Sequence, residues 1–312
     1  MSNATTAAGS VSAASGSGPS FLNWNQGIRI VDGSTLFIAD KDNHRVVVIR
    51  PGSNNATALV GTGPGASASQ LNQPTDIFVT SAFVYVLDAA NYRVQQWPRN
   101  GSSGITVAGI TGSAGNSSTN HTFGFSYGID VDKDGFIFVS DQPNHRVLRF
   151  PPGSTSGTSG TVVAGTGIAG AGPSQLNSAF RIFVDDMRSI YIADTFNHRI
   201  QKWAYGACSG VTVAGTGTIG TVVNQLYYPV SVMVDADQYM YIGDQFNNRV
   251  HRWLVGDCSG QCLVGCTRTY GPAMHQFYYM QSVAFDSQGA MYVSDGGNHR
   301  VQRFMLAPMI GM

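Results

Sequence analysis

At 312 residues the chain is long enough for one or two packed domains. Its 18 Lys and Arg are balanced by 18 acidic residues, all of them Asp, so the formal net charge is zero. Neutrality of this kind argues against a polyanion binder, and no apolar run is long enough to span a membrane. Only Lys41, Lys133 and Lys202 are lysines. Glu and Lys clothe helix surfaces, whereas Asp favours turns. With 38 Gly and abundant Val, Ile, Tyr and Phe, the composition predicts an all-β protein of short strands and tight turns.

Residues 1–20 are rich in Ser, Ala and Gly and form a low-complexity segment. They lack the charged and apolar regions of a signal peptide. Sequons at Asn3, Asn55, Asn100, Asn116 and Asn120 favour an extracellular protein or the ectodomain of a membrane protein, with the cytoplasm as the alternative.

Over residues 21–312 one pattern recurs six times. Asp40, Asp88, Asp141, Asp194, Asp244 and Asp295 each stand five residues before an Arg: Arg45, Arg93, Arg146, Arg199, Arg249 and Arg300. An Asn lies between the two in every copy. Residues 175–217 show one unit in full: a loop, "RIFVD", "IYIAD", "HRIQKWA" and "VTVAGTG", each strand separated by a turn. Four short strands joined in this way make an antiparallel meander, and a sheet so small must stack on its neighbours. Six such sheets in a ring predict a six-bladed β-propeller of four-stranded antiparallel blades.

The last unit has no "VAGTG" strand. Residues 6–23 resemble 162–177, so the segment near Thr5–Gly9 is expected to supply the outer strand of blade six; an unstructured tail is the alternative. The repeated Asp and Asn are expected to shape the turn, since both tolerate left-handed backbone. The Asp–Arg couple predicts a recurring hydrogen-bonded pair that ties strand to turn or blade to blade. A His follows the Asn, replaced by Tyr92 and Asn248 in two copies. A ring of metal-binding His is the weaker alternative, because one His per blade places neighbours far apart, whereas zinc ligands must meet at one point about 2 Å away.

The strand "NHRIQKW", the lead-in "IYIAD" and the tail "VAGTG" resemble NHL repeats over about residues 21–312. The resemblance implies a propeller used mostly as a rigid binding platform. Its relatives include RNA- and protein-binding propellers, sensor domains, cell-surface proteins and a zinc-dependent amidating lyase.

In such a ring the loops that enter each blade surround the channel, and function concentrates where loops vary. The candidates there are Trp24, Gln26, Asp76, Tyr127, Phe180, Arg181, Tyr228 and Tyr279, a mixture of rings and one charge of each sign suited to a peptide or glycan. Phe196 and Phe246 hold equivalent turn positions on adjacent blades and would form an apolar patch if exposed. The alternative is that these rings pack blade against blade. No nucleophile elbow, zinc-protease or phosphate-loop motif occurs. His121 and His275 alone sit in blade-joining loops, on opposite blades. Cys208 and Cys258 occupy equivalent positions too distant to bridge, and a local disulfide is expected among Cys258, Cys262 and Cys266, a mild sign of an oxidising compartment.

The sequence thus favours a non-catalytic platform for a protein or peptide partner, with glycan a further option. It reads as a monomeric domain of a larger chain, and no metal or cofactor is expected. An enzyme at the channel mouth, amidating-lyase-like or a hydrolase, is the first alternative. Single-stranded RNA binding is the second; it would need Arg29, Arg50, Arg99, Arg149, Arg252, Arg268 and Arg303 gathered on one face.

Overall fold

Segments such as Ile190–Asp194 alternate apolar side chains on two faces, and every one of them ends in an Asp that turns the chain. In the computed structural model, which describes residues 4–53 and 55–306, these segments build six four-stranded antiparallel sheets. The innermost strands are Asn25–Val31, Pro74–Val79, Gly128–Val131, Ala179–Val184, Pro229–Val234 and Met280–Phe285. Each packs on the next, and the sixth packs on the first. The molecule is a six-bladed β-propeller. Its core is six apolar layers, one between each pair of blades; Trp97, Trp203 and Phe304 are each nearly or fully buried in one.

The repeated motif closes the turn between the second and third strands. The turn is three residues of 3-10 helix, for example Lys41–Asn43 and Thr195–Asn197. Its left-handed residue is neither the Asp nor the Asn expected from the sequence. It is the next one, His44, Tyr92, His145, His198, Asn248 or His299, with φ between 51° and 55°. The Asp and Asn instead bond across the turn. In every blade the Arg Nε donates to the Asp Oδ2 at 2.7–2.8 Å. The Asn Nδ2 donates to the same carboxylate. Oδ1 accepts the backbone amide of Asn23, Asn72, Gly124, Asn177, Tyr227 or Tyr278 just ahead of the innermost strand.

The rest of the guanidinium holds the incoming chain. Arg199 donates to the carbonyls of Ala171, Gly172 and Gln175, and Arg249 to those of Thr221, Val222 and Gln225. Each Asp–Arg pair therefore lies within one blade and clamps the loop arriving from the previous one. The His adds a link between blades: Nδ1 of His299, His44, His145 and His198 accepts an amide from Trp24, Gln73, Ser178 and Tyr228 of the following blade.

The outer strand of blade six is Ala4–Gly9, antiparallel to Arg300–Phe304. Gly9 has φ +82°, and a side chain there would collide with the carbonyl of His299. Gly165 and Gly215 meet the carbonyls of His145 and His198 in the same way at the ends of their outer strands. Ala8 is buried against Leu22 and Val301, in the layer shared by blades six and one. Deleting residues 1–12 should expose the edge of strand Arg300–Phe304 and lower the melting temperature by several degrees. Calorimetry on the truncated and full chains checks this, and an unchanged melting temperature would contradict it.

Candidate functional site

One end of the ring carries the starts of the innermost strands and the six 3-10 turns, and the most exposed rings of the predicted set lie there. Phe196 is 49% exposed and Phe246 41%, each projecting from the second position of its turn. Tyr228 sits between them, 5.2 Å from Phe196 and 4.7 Å from Phe246 between ring centroids. Phe246 continues to Tyr279 at 6.1 Å, and Tyr279 to Trp24 at 5.8 Å. Five rings thus run without a break across blades four, five, six and one. Tyr228, Tyr279 and Trp24 owe their placement to backbone: all three are left-handed, with φ of 54°, 51° and 52°. That conformation throws the side chain outward just as the chain enters the innermost strand.

Beside this ladder a cavity of about 350 Å³ is lined by Tyr227, Gln245, Phe246, Asn248, Tyr270, Tyr278 and Tyr279. Gln245 is held by a bond from Nε2 to the carbonyl of Met280. Sequence reasoning missed Tyr227, Tyr270 and Tyr278; the doubled tyrosines at 227–228 and 278–279 were the available signal. On the opposite side of the same face Tyr127 stacks flat on Phe180, with centroids 4.1 Å apart. Burial pushes the Tyr127 phenol up, and the nearby Arg181 charge opposes this.

The three remaining candidates, Gln26, Asp76 and Arg181, are buried. Arg181 crosses the channel from blade four. Its Nη1 is 2.5 Å from Asp76 of blade two, Nη2 donates to Thr75 O, and Nε donates to Gln281 O of blade six. Gly27 faces this crossing, and a side chain there would collide with Asp76 Oδ1. Below it, Arg29 of blade one approaches Asp130 of blade three at 3.4 Å, with its guanidinium over the Phe78 ring. Asp130 Oδ2 also accepts the amide of Val184 from blade four. A residual cavity of about 90 Å³ lies along the axis. The channel is therefore closed by two charge pairs, and a ligand at this end meets the rings before it meets the charges.

The other arginines outside the motif are spread over separate blades. Arg99 pairs with Asp32, Arg149 lies over Phe136, and Arg303 lies over Tyr292. His275 packs 5.8 Å from the ring of Phe304 on the third strand of blade six. Among the described residues no three His, Cys or Asp side chains converge as metal ligands would. Cys262 and Cys266 form a disulfide with Cα atoms 5.8 Å apart, and Cys208 and Cys258 are free and exposed.

Burial raises Asp130 from the ordinary aspartate value to about 6, against the pull of Arg29 and two backbone amides. The folded value lies above the unfolded one, so protonation favours the fold. The contribution of Asp130 to stability is complete below about pH 4 and is lost as pH rises through 6. Asp130→Asn should therefore gain about 2–3 kcal/mol on the wild type between pH 4 and 7. Urea unfolding of both proteins across that range checks this; a stability difference independent of pH would contradict it.

The fold has many relatives of known structure. An auxiliary nutrient binding protein from Bacteroides thetaiotaomicron is 12% identical, with a TM-score of 0.70 over 98% of this chain and 77% of that one. A gluconolactonase from Xanthomonas campestris is 13% identical, with a TM-score of 0.66 over 98% and 90%. Virginiamycin B lyase from Staphylococcus aureus is 11% identical, with a TM-score of 0.58 over 98% and 99%. At such identities the likeness is one of fold. No curated protein matches the chain. The family model for the NHL repeat matches residues 277–304 in blade six, and all six blades carry the Asp, Asn and Arg of the same joint. The chain is a six-bladed β-propeller whose last blade matches the NHL repeat.

Proposed function

We propose that the protein is a non-catalytic binding platform that takes a peptide segment of a protein partner on its ring-bearing face. The observation that carries this reading is the unbroken run of Phe196, Tyr228, Phe246, Tyr279 and Trp24, three of them at least a third exposed. Aromatic rings on rigid turns supply much contact area for little loss of conformational freedom, and they dominate the energetics of interfaces. The rings are fixed by the joints behind them, so little ordering is left for binding to do. Their mutual tilts of 40–75° leave crevices between edges and faces, and the adjoining cavity has the size of an apolar side chain or a short run of them.

A peptide suits this surface better than a glycan. A sugar ring stacks best on a flat, isolated aromatic face, and in the one flat pair among the described residues, Tyr127 on Phe180, each ring spends a face on the other. A reaction at the mouth, of the kind the names of the lyase and the gluconolactonase suggest, has less in its favour. The nearest charges, Asp76 and Arg181, are spent on each other inside the closed channel.

Selection from a random peptide library followed by calorimetric titration tests the reading. Selected peptides should bind with a shift in Trp24 fluorescence, since that indole touches the ladder. The exchanges Phe246→Ala and Tyr279→Ala should each weaken binding by about tenfold or more. Binding that survives both exchanges, or no selected peptide at all, would overturn it.

A further inference from the structure

The opposite end of the ring carries a separate cleft, away from the ring-bearing face. Between blades three and four, a cleft of about 400 Å³ opens at the ends of the third and outer strands. Its floor is apolar: Phe138, Ile190 and Trp203 are all nearly fully buried. Arg149 and Arg188 stand at its rim, and both guanidiniums face the ring of Tyr205, at 5.8 and 5.4 Å from its centroid. Tyr205 is 58% exposed, on the turn that follows the third strand of blade four.

The charges at this rim do not cancel. Arg188 reaches back to blade three and pairs with Asp134, with Asp132 further off at 3.8 Å. No carboxylate among the described residues pairs with Arg149; its guanidinium lies between the rings of Phe136 and Tyr205. Hydrogen bonding and charge from Arg149 and Arg188 pull the Tyr205 phenol below its usual range, which marks the spot as one where negative charge is favoured. The corresponding cleft between blades one and two differs. There Arg99 is bound to Asp32 at 2.7 Å, which satisfies its charge within the protein.

We propose that the cleft between blades three and four binds a flat apolar molecule bearing one carboxylate. The apolar body would lie over Val162, Val163 and Ala207 above that buried floor, and the carboxylate would accept hydrogen bonds from Arg149 and the Tyr205 hydroxyl. A monoanion is the better match, because one unneutralised guanidinium is on offer and Arg188 is already shared with Asp132 and Asp134.

The protein supplies its own reporter pair. Cys208 lines the cleft, and Cys258 is the equivalent exposed thiol one blade on. The experiment treats the full chain with N-ethylmaleimide and follows each cysteine by mass spectrometry, with 2-naphthoate or neutral 2-naphthylmethanol present. Naphthoate at saturation should slow alkylation of Cys208 by about tenfold and leave Cys258 unchanged, while the alcohol protects neither. Arg149→Gln should abolish the protection. Val162→Trp, which fills the cleft from a partly exposed position without touching the charges, should abolish it too, with an unchanged melting curve as the check on folding. Equal protection by the alcohol, equal protection of both thiols, retained protection in either variant, or no protection at all would overturn the proposal.

Discussion

Each blade turns on one buried carboxylate. Asp141 has no exposed surface, yet it accepts the amide of Gly124, the Nδ2 of Asn144 and the Nε of Arg146. Burial pushes its carboxyl above the ordinary range, and these three donors pull it back part of the way. An ionised group taken out of water costs several kcal/mol unless every lone pair is satisfied, and removing one partner of such a pair costs about 3–5 kcal/mol. The three donors come from the turn, the third strand and the arriving loop. One charge therefore fixes three segments at once, and the other guanidinium nitrogens extend the hold to the loop carbonyls. The exposed rings inherit their rigidity from this point.

The channel obeys a different logic. Its charges are not repeated from blade to blade: Asp76 with Arg181 and Arg29 with Asp130 join blades that are not neighbours. The joints hold adjacent parts of the ring together locally. The channel pairs brace it across its width. This division leaves the face that carries Phe246 and Tyr279 with neither task, and its residues are free to differ between blades. Trp24, Gln73, Phe125, Ser178, Tyr228 and Tyr279 fill the same slot with five different residue types.

Much of this was legible in the residues. Spacing alone located the six joints, because a buried Asp–Arg pair needs the same partners at the same separation every time. The turn positions of Phe196 and Phe246 followed from the same register. The inward residues were harder to read. Asp76 and Arg181 look like loop residues at the mouth, yet they lie on innermost strands and point to the axis. Those strands are bulged, with shifts between Pro74 and Asp76 and between Ala179 and Ile182. A bulge breaks the two-residue alternation, so counting along the strand no longer tells inside from outside. The left-handed role of the His slot was hidden for another reason. Its Nδ1 bond goes to the next blade, and no local pattern records a partner about 30 residues away, as in His198 and Tyr228.

Hydrogen exchange of backbone amides, with and without a peptide selected for binding, tests the division between joints and free loops most directly. The amides of Asn23, Asn72, Gly124 and Asn177, which the motif carboxylates hold, should exchange only with global unfolding in both states. The peptide should slow exchange around Phe246 and Tyr270 and leave the hairpins at the far end of the ring unchanged. Rapid exchange at the joint amides, or slowing confined to the far hairpins, would contradict the account.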